Sequence, residues 1–131
     1  MIDGKAYTKL VKEYYSFLIT DFNLDIIDEK IRGNAFYDVQ YGDKSIVVSI
    51  NYENIEGDFQ VVVYLLENGQ LPDYDDKSKT LHLSQLNLSI IKHATTSEIE
   101  MNNRYFEQFT ISNDFQRKLI KSAKELRLSM N

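Results

Sequence analysis

The chain contains no cysteine and no tryptophan, a single proline (Pro72) and only five glycines. Without cysteine, disulfides and thiolate metal sites are excluded, and the composition suits a reducing compartment. The few glycines form neither a GxGxxG fingerprint nor a Walker loop, which removes the common phosphate cradles. No stretch approaches the roughly 18 apolar residues that a membrane span needs. The opening "MIDGKAYTKLVKEYYSF" lacks a basic segment followed by an apolar run. The expectation is therefore a protein without a signal peptide, cytoplasmic and not membrane-bound. Internal repeats, low-complexity segments and interdomain linkers are also missing from the pattern.

What is present is ordinary for a globular chain. The 131 residues are 43% hydrophobic and 27% charged, which predicts one domain over 1–131 with a core of its own. The net charge of −5 is unevenly spread. Residues 115–131 carry Arg117, Lys118, Lys121, Lys124 and Arg127 against Glu125 alone. Of fifteen basic and twenty acidic groups, that leaves ten and nineteen elsewhere, a balance of −9. Such a body repels nucleic acid and steers cationic partners inward. The basic C-terminal stretch has no interleaved aromatics on which bases could stack, and cations there suit the end of a helix.

Periodicity predicts an α+β fold. Tyr7, Leu10, Val11, Tyr14, Leu18 and Phe22 recur at helical spacing, so a helix is expected from about Asp3, its cap, to about Thr20. "DFNLDII" should lead into a short strand, with a turn over Asp28 to Asn34. Strand alternation follows in "AFYDVQY", "SIVVSINY" and "FQVVVYLL", joined by "YGDK" and the acidic "ENIEGD". Short links imply an antiparallel meander of about four strands. One face is uniformly apolar and should be covered by the C-terminal helices. The other mixes Asp38, Gln40, Ser49, Asn51 and Gln60 with Phe36, Val47, Val62, Tyr64 and Leu66, as a partner-binding face would. In "TLHLSQLNLSIIKHA", Leu81 and Leu83 alternate like a strand end, whereas Ser84 could cap a helix carrying Leu86 and Ile90, and the helix is the expectation. "TSEIEMNNRYFEQF" should form another, started by Thr96 or Ser97. The last helix should be capped by Ser112 or Asn113 and carry the stripe Phe115, Leu119, Ala123, Leu126 and Met130.

The residues offer little for catalysis. "PDYDD" brings Asp73, Asp75 and Asp76 together, but a calcium loop counted from Asp73 would need glycine and glutamate where Ser78 and Ser84 stand. His82 and His93 fit neither HxxxH nor HExxH, and no serine has a GxSxG setting. The expectation is a non-catalytic protein with no cofactor and no metal. Nine tyrosines are more than a core of this size needs. Tyr37, Tyr41 and Tyr52 are expected to send their hydroxyls to water, and Tyr64 and Tyr74 to be exposed contact residues.

An amphipathic opening with "YSFLITDFNLDI", the strands of "AFYDVQYGDKSIVVSINYENIEGDFQVVVYL" and the helical "FQRKLIKSAKELR" resemble small bacterial α+β immunity proteins of polymorphic or contact-dependent toxin systems. The resemblance implies a cytoplasmic protein, monomeric or homodimeric, that binds and occludes a toxin domain. An acidic body would suit a basic toxin. The expected contact residues are Glu56, Asp58, Tyr64, Asp73, Tyr74, Asp75 and Asp76. The alternatives are a secretion-type chaperone holding an extended effector segment, and a small-ligand-binding protein or enzyme with a pocket.

Overall fold

In the computed structural model, residues 2–71, 80–83 and 93–130 are described. They fall into two compact units, 1–82 and 83–131. The fold is α+β, with an N-terminal helix, one antiparallel sheet and C-terminal helices.

Helix α1 spans Gly4–Tyr14 and is capped by Asp3, whose Oδ1 accepts from the Ala6 amide at 2.8 Å. The expected run to Thr20 is broken: Tyr15 leaves helical geometry, and a second short helix, α2, covers Phe17–Thr20. Tyr14, Tyr15, Phe17 and Leu18 are all buried, which is too wide an apolar surface for one stripe of a straight helix. The break lets all four reach the core. Gly4 lies where α1 approaches the sheet; a Cβ there would stand 2.6 Å from Ile31.

Strands β1 (Asp25–Arg32), β2 (Phe36–Gly42), β3 (Ile46–Glu53), β4 (Asp58–Leu65) and β5 (Thr80–His82) form one sheet in chain order. All neighbours are antiparallel. The turn expected over Asp28 to Asn34 is instead strand as far as Arg32, and the chain reverses over residues 33–35 with Gly33 at φ +55°. β1 is an edge strand with mostly exposed side chains, and none of them is fully buried. β5 is the fifth strand; the helix expected after Ser84 lies outside the described residues.

On the face that meets α1, the registers align Tyr37 with Tyr52, Val39 with Ile50 and Val61, and Tyr41 with Val48 and Val63. Tyr7 from α1 enters this row. Its ring centroid lies 5.4 Å from that of Tyr37 and 5.9 Å from that of Tyr52. Tyr7, Tyr14, Tyr15, Tyr37, Tyr41 and Tyr52 are all buried. The expectation that Tyr37, Tyr41 and Tyr52 reach water with their hydroxyls is thus corrected for Tyr37 and Tyr41. Tyr37 Oη donates to the Ile2 carbonyl at 2.8 Å, and Tyr41 Oη is sealed from solvent. The tyrosine surplus belongs to the core.

In the second unit, α3 (Thr96–Phe106) and α4 (Asp114–Met130) pack on one another. The cap of α3 is Thr95, one residue before the expected position. It forms a reciprocal capping box with Glu98, whose carboxylate accepts the Thr95 amide at 3.2 Å. Asn113 starts α4 by accepting the Gln116 amide at 2.9 Å. Leu119, Ile120, Ala123 and Leu126 are buried. Buried Asn102 donates to the Lys124 carbonyl and accepts from Arg127 Nη1, both at 2.9 Å, while the Arg127 guanidinium lies 4.1 Å over the Tyr105 ring. No helix among the described residues is long and apolar enough to cross a membrane.

Candidate interaction surface

The turn between β3 and β4 covers residues 54–57 and places an apolar side chain among carboxylates. Ile55 is 74% exposed, the highest value among the large hydrophobic side chains of the described residues. Glu53, Glu56 and Asp58 surround it in sequence and are exposed. Gly57, at φ +74°, closes the turn by donating its amide to the Glu53 carbonyl at 2.9 Å. An apolar tip with a charged surround has the layout of a contact patch, where one anchor enters a pocket and the rim sets charge complementarity.

The tip is held from below by Asn54, which is only 5% exposed. Its Nδ2 lies 2.8 Å from the Asn34 carbonyl, 3.2 Å from the Ile2 carbonyl and 3.2 Å from Tyr37 Oη. Its backbone amide donates to the Ala35 carbonyl at 2.8 Å. One side chain therefore joins the chain start, the β1–β2 turn and the β3–β4 turn. Asn is suited to this because its amide carries two donors on a short stem. The turn is thus held by hydrogen bonds from a buried side chain, and a turn held in this way has little entropy left to lose.

The sheet face away from α1 is different from the expected wettable surface. Val47, Ser49, Val62 and Asp38 on it are all buried. Asp38 accepts from Ser49 Oγ at 2.7 Å and from Gln40 Nε2 at 2.8 Å, and Asn51 Nδ2 donates to Ser49 Oγ at 3.1 Å. Burial pushes the Asp38 carboxyl above its ordinary range, and the bonds from Ser49 and Gln40 oppose that shift. Both carboxylate oxygens are engaged, so the cluster fixes neighbouring strands rather than presenting a free base.

Of the expected contact residues, Glu56 and Asp58 come together at the tip. Tyr64 is half-buried rather than exposed: it pairs with Val47 on β3 and with Thr80 on β5. Asp73, Tyr74, Asp75 and Asp76 lie outside the described residues. Sequence reading missed Ile55 and Asn54, although an isoleucine inside an acidic turn is itself a signal. His82 is half-buried on β5 and His93 is exposed. Among the described residues no group of three His, Cys, Asp or Glu side chains is placed to hold a metal ion. Concavities of about 310 Å³, lined by Glu98, Met101, Asn102, Arg127 and Leu128, and about 300 Å³, at Glu67, Asn68, Gln70 and Leu71, lie within the second and first units respectively.

Comparison with protein-family models, curated proteins and solved structures finds no match to this chain.

Proposed function

We propose that this is a non-catalytic protein-binding protein that engages its partner through the β3–β4 tip, and that the partner is a basic toxin domain which it neutralises as an immunity protein. The observation that carries the reading is Ile55, 74% exposed between Glu53, Glu56 and Asp58 on a turn anchored by buried Asn54. An exposed isoleucine on an ordered turn is unfavourable in water and is stabilised when a partner covers it. The acidic surround favours a cationic partner and speeds its encounter. The specific assignment to immunity rests on the resemblance of the element pattern, and the net charge of −5 agrees with it.

The test is co-purification of tagged protein from the producing cells, followed by reconstitution with the recovered partner. A folded, basic partner whose toxicity is abolished in the complex supports the proposal. Combined Ile55→Asp, Glu56→Lys and Asp58→Lys changes should then weaken binding by at least about tenfold without unfolding the chain. Unaltered affinity in that variant overturns the site. A partner held through an extended segment, with no toxicity to suppress, overturns the immunity assignment in favour of a chaperone.

A further inference from the structure

Strand β1 forms the edge of the sheet, with only β2 beside it among the described residues. Most of its side chains are exposed, including Ile27 at 51% and Ile31 at 49%, while Ile26 and Asp28 are half-buried. An exposed edge offers a row of unpaired backbone groups, and charges on such an edge usually serve to keep other strands away. Here the order of the charges does something more selective.

The ladder with β2 shifts by one residue at Ile27. Asp25, Asp28, Lys30 and Arg32 therefore stand opposite Gly42, Gln40, Asp38 and Phe36, and share one face. Without that bulge, Asp25 and Arg32, an odd number of positions apart, would project to opposite faces. Ile26, Glu29 and Ile31 stand opposite Tyr41, Val39 and Tyr37 and share the other face. One face thus reads acid, acid, base, base. Reversed end to end, it reads base, base, acid, acid, which complements itself.

We infer that β1 is a self-association edge on which a second copy of this chain pairs antiparallel, about a two-fold axis at Glu29, doubling the sheet. Asp25 then faces Arg32 of the partner copy, and Asp28 faces its Lys30, each pairing occurring twice. Ile26 faces Ile31 on the opposite side. The one like-charge meeting is Glu29 with itself, and each Glu29 already has a cation from its own chain, Lys12 Nζ at 2.8 Å. A parallel copy in register would set acid against acid and base against base, so the same pattern rejects it. Asp28 and Lys30 lie 3.5 Å apart within one strand and can exchange partners across the axis without new charges being buried. This surface is separate from the β3–β4 tip, and its failure would leave the partner-binding proposal standing.

The experiment is sedimentation velocity on the full chain over a range of concentrations, at low and high salt. Wild type should form a dimer that weakens as salt rises. Asp25→Lys and Arg32→Glu, each checked for folding by circular dichroism, should each weaken dimerisation by about tenfold, because each replaces two opposite-charge pairs by two like-charge pairs. An equimolar mixture of the two variants should restore a dimer, since Lys then meets Glu and Arg meets Asp. A wild-type chain that stays monomeric at all concentrations overturns the inference. So does a dimer indifferent to either substitution, or a mixture of folded variants that fails to associate.

Discussion

The hydroxyl of Tyr7 donates to the carbonyl of Ile50 across 2.8 Å, and this bond fixes α1 to the middle strand of the sheet. Both groups are buried, so the contact is not shared with water. Tyr7→Phe should lower stability by about 1 kcal/mol, the net value of a buried hydrogen bond, while leaving the denaturant slope unchanged. Urea unfolding followed by circular dichroism measures it. A much larger loss would mean that the ring had shifted as well.

Tyr41 is the counterpart. Its hydroxyl is buried and has no hydrogen-bond partner among the described residues. Tyr41→Phe removes a desolvated group while keeping the ring, so it should be neutral or stabilising by up to about 1 kcal/mol. Opposite signs for the two Tyr→Phe changes in the same unfolding assay are the expected result.

The two tyrosines also set an alkaline limit. Burial raises the ionisation of Tyr7 and Tyr41 above the ordinary value of 10.0, and Tyr14 and Tyr52 shift the same way, each with burial as the main cause. The unfolded chain then loses phenol protons before the folded chain does. The tyrosines' contribution to stability should be constant up to about pH 10 and fall above it, because the unfolded state binds fewer protons there. Equilibrium unfolding between pH 8 and 12 gives the profile, and Tyr41→Phe should make the fall shallower.

At the acid end the sign is set by Asp38, whose carboxyl is raised by burial above its ordinary value of 3.8. A raised carboxyl favours the protonated folded form, so this group's contribution diminishes as pH rises through its folded value. Ser49→Ala removes the 2.7 Å bond to the carboxylate. It should cost about 1.5–3 kcal/mol at neutral pH and less at pH 3, where the carboxyl is neutral. Chemical denaturation at the two pH values distinguishes them.

Asn54→Ala should loosen the tip it supports. Losing its amide strands the Asn34 carbonyl, which Nδ2 meets at 2.8 Å, and should cost about 1–3 kcal/mol. Amide exchange at residues 53–58 should accelerate more than exchange in β2 and β3. Uniform acceleration would show that Asn54 supports the whole sheet rather than the turn.

The meander was legible because apolar residues stand at every second position of β2, β3 and β4, with turn residues between the strands. The full length of β1 is not legible in the sequence because an edge strand with mostly exposed side chains has no need of a regular apolar face. The break at Tyr15 was hidden because Tyr14, Leu18 and Phe22 continue helical spacing through it. Glu56 and Asp58 could be picked out as exposed acids, but Asn54 could not, since its acceptors on Ile2 and Asn34 are distant in sequence and adjacent only in the fold. The self-complementary face of β1 was equally hidden, because it depends on a one-residue bulge that no composition reveals.

Strand order that copies chain order has a kinetic consequence. Every pairing in the sheet joins sequence neighbours, and β1 to β4 are linked by short turns over residues 33–35, 43–45 and 54–57, so these hairpins can close early. Helix α1 has no such local partner. Tyr7 needs the Ile50 carbonyl on β3, and Ile2 needs Tyr37 and Asn54, so neither can engage until the β2–β3 hairpin stands. Helix α1 is therefore locked into place only after strands that follow it in the chain have paired.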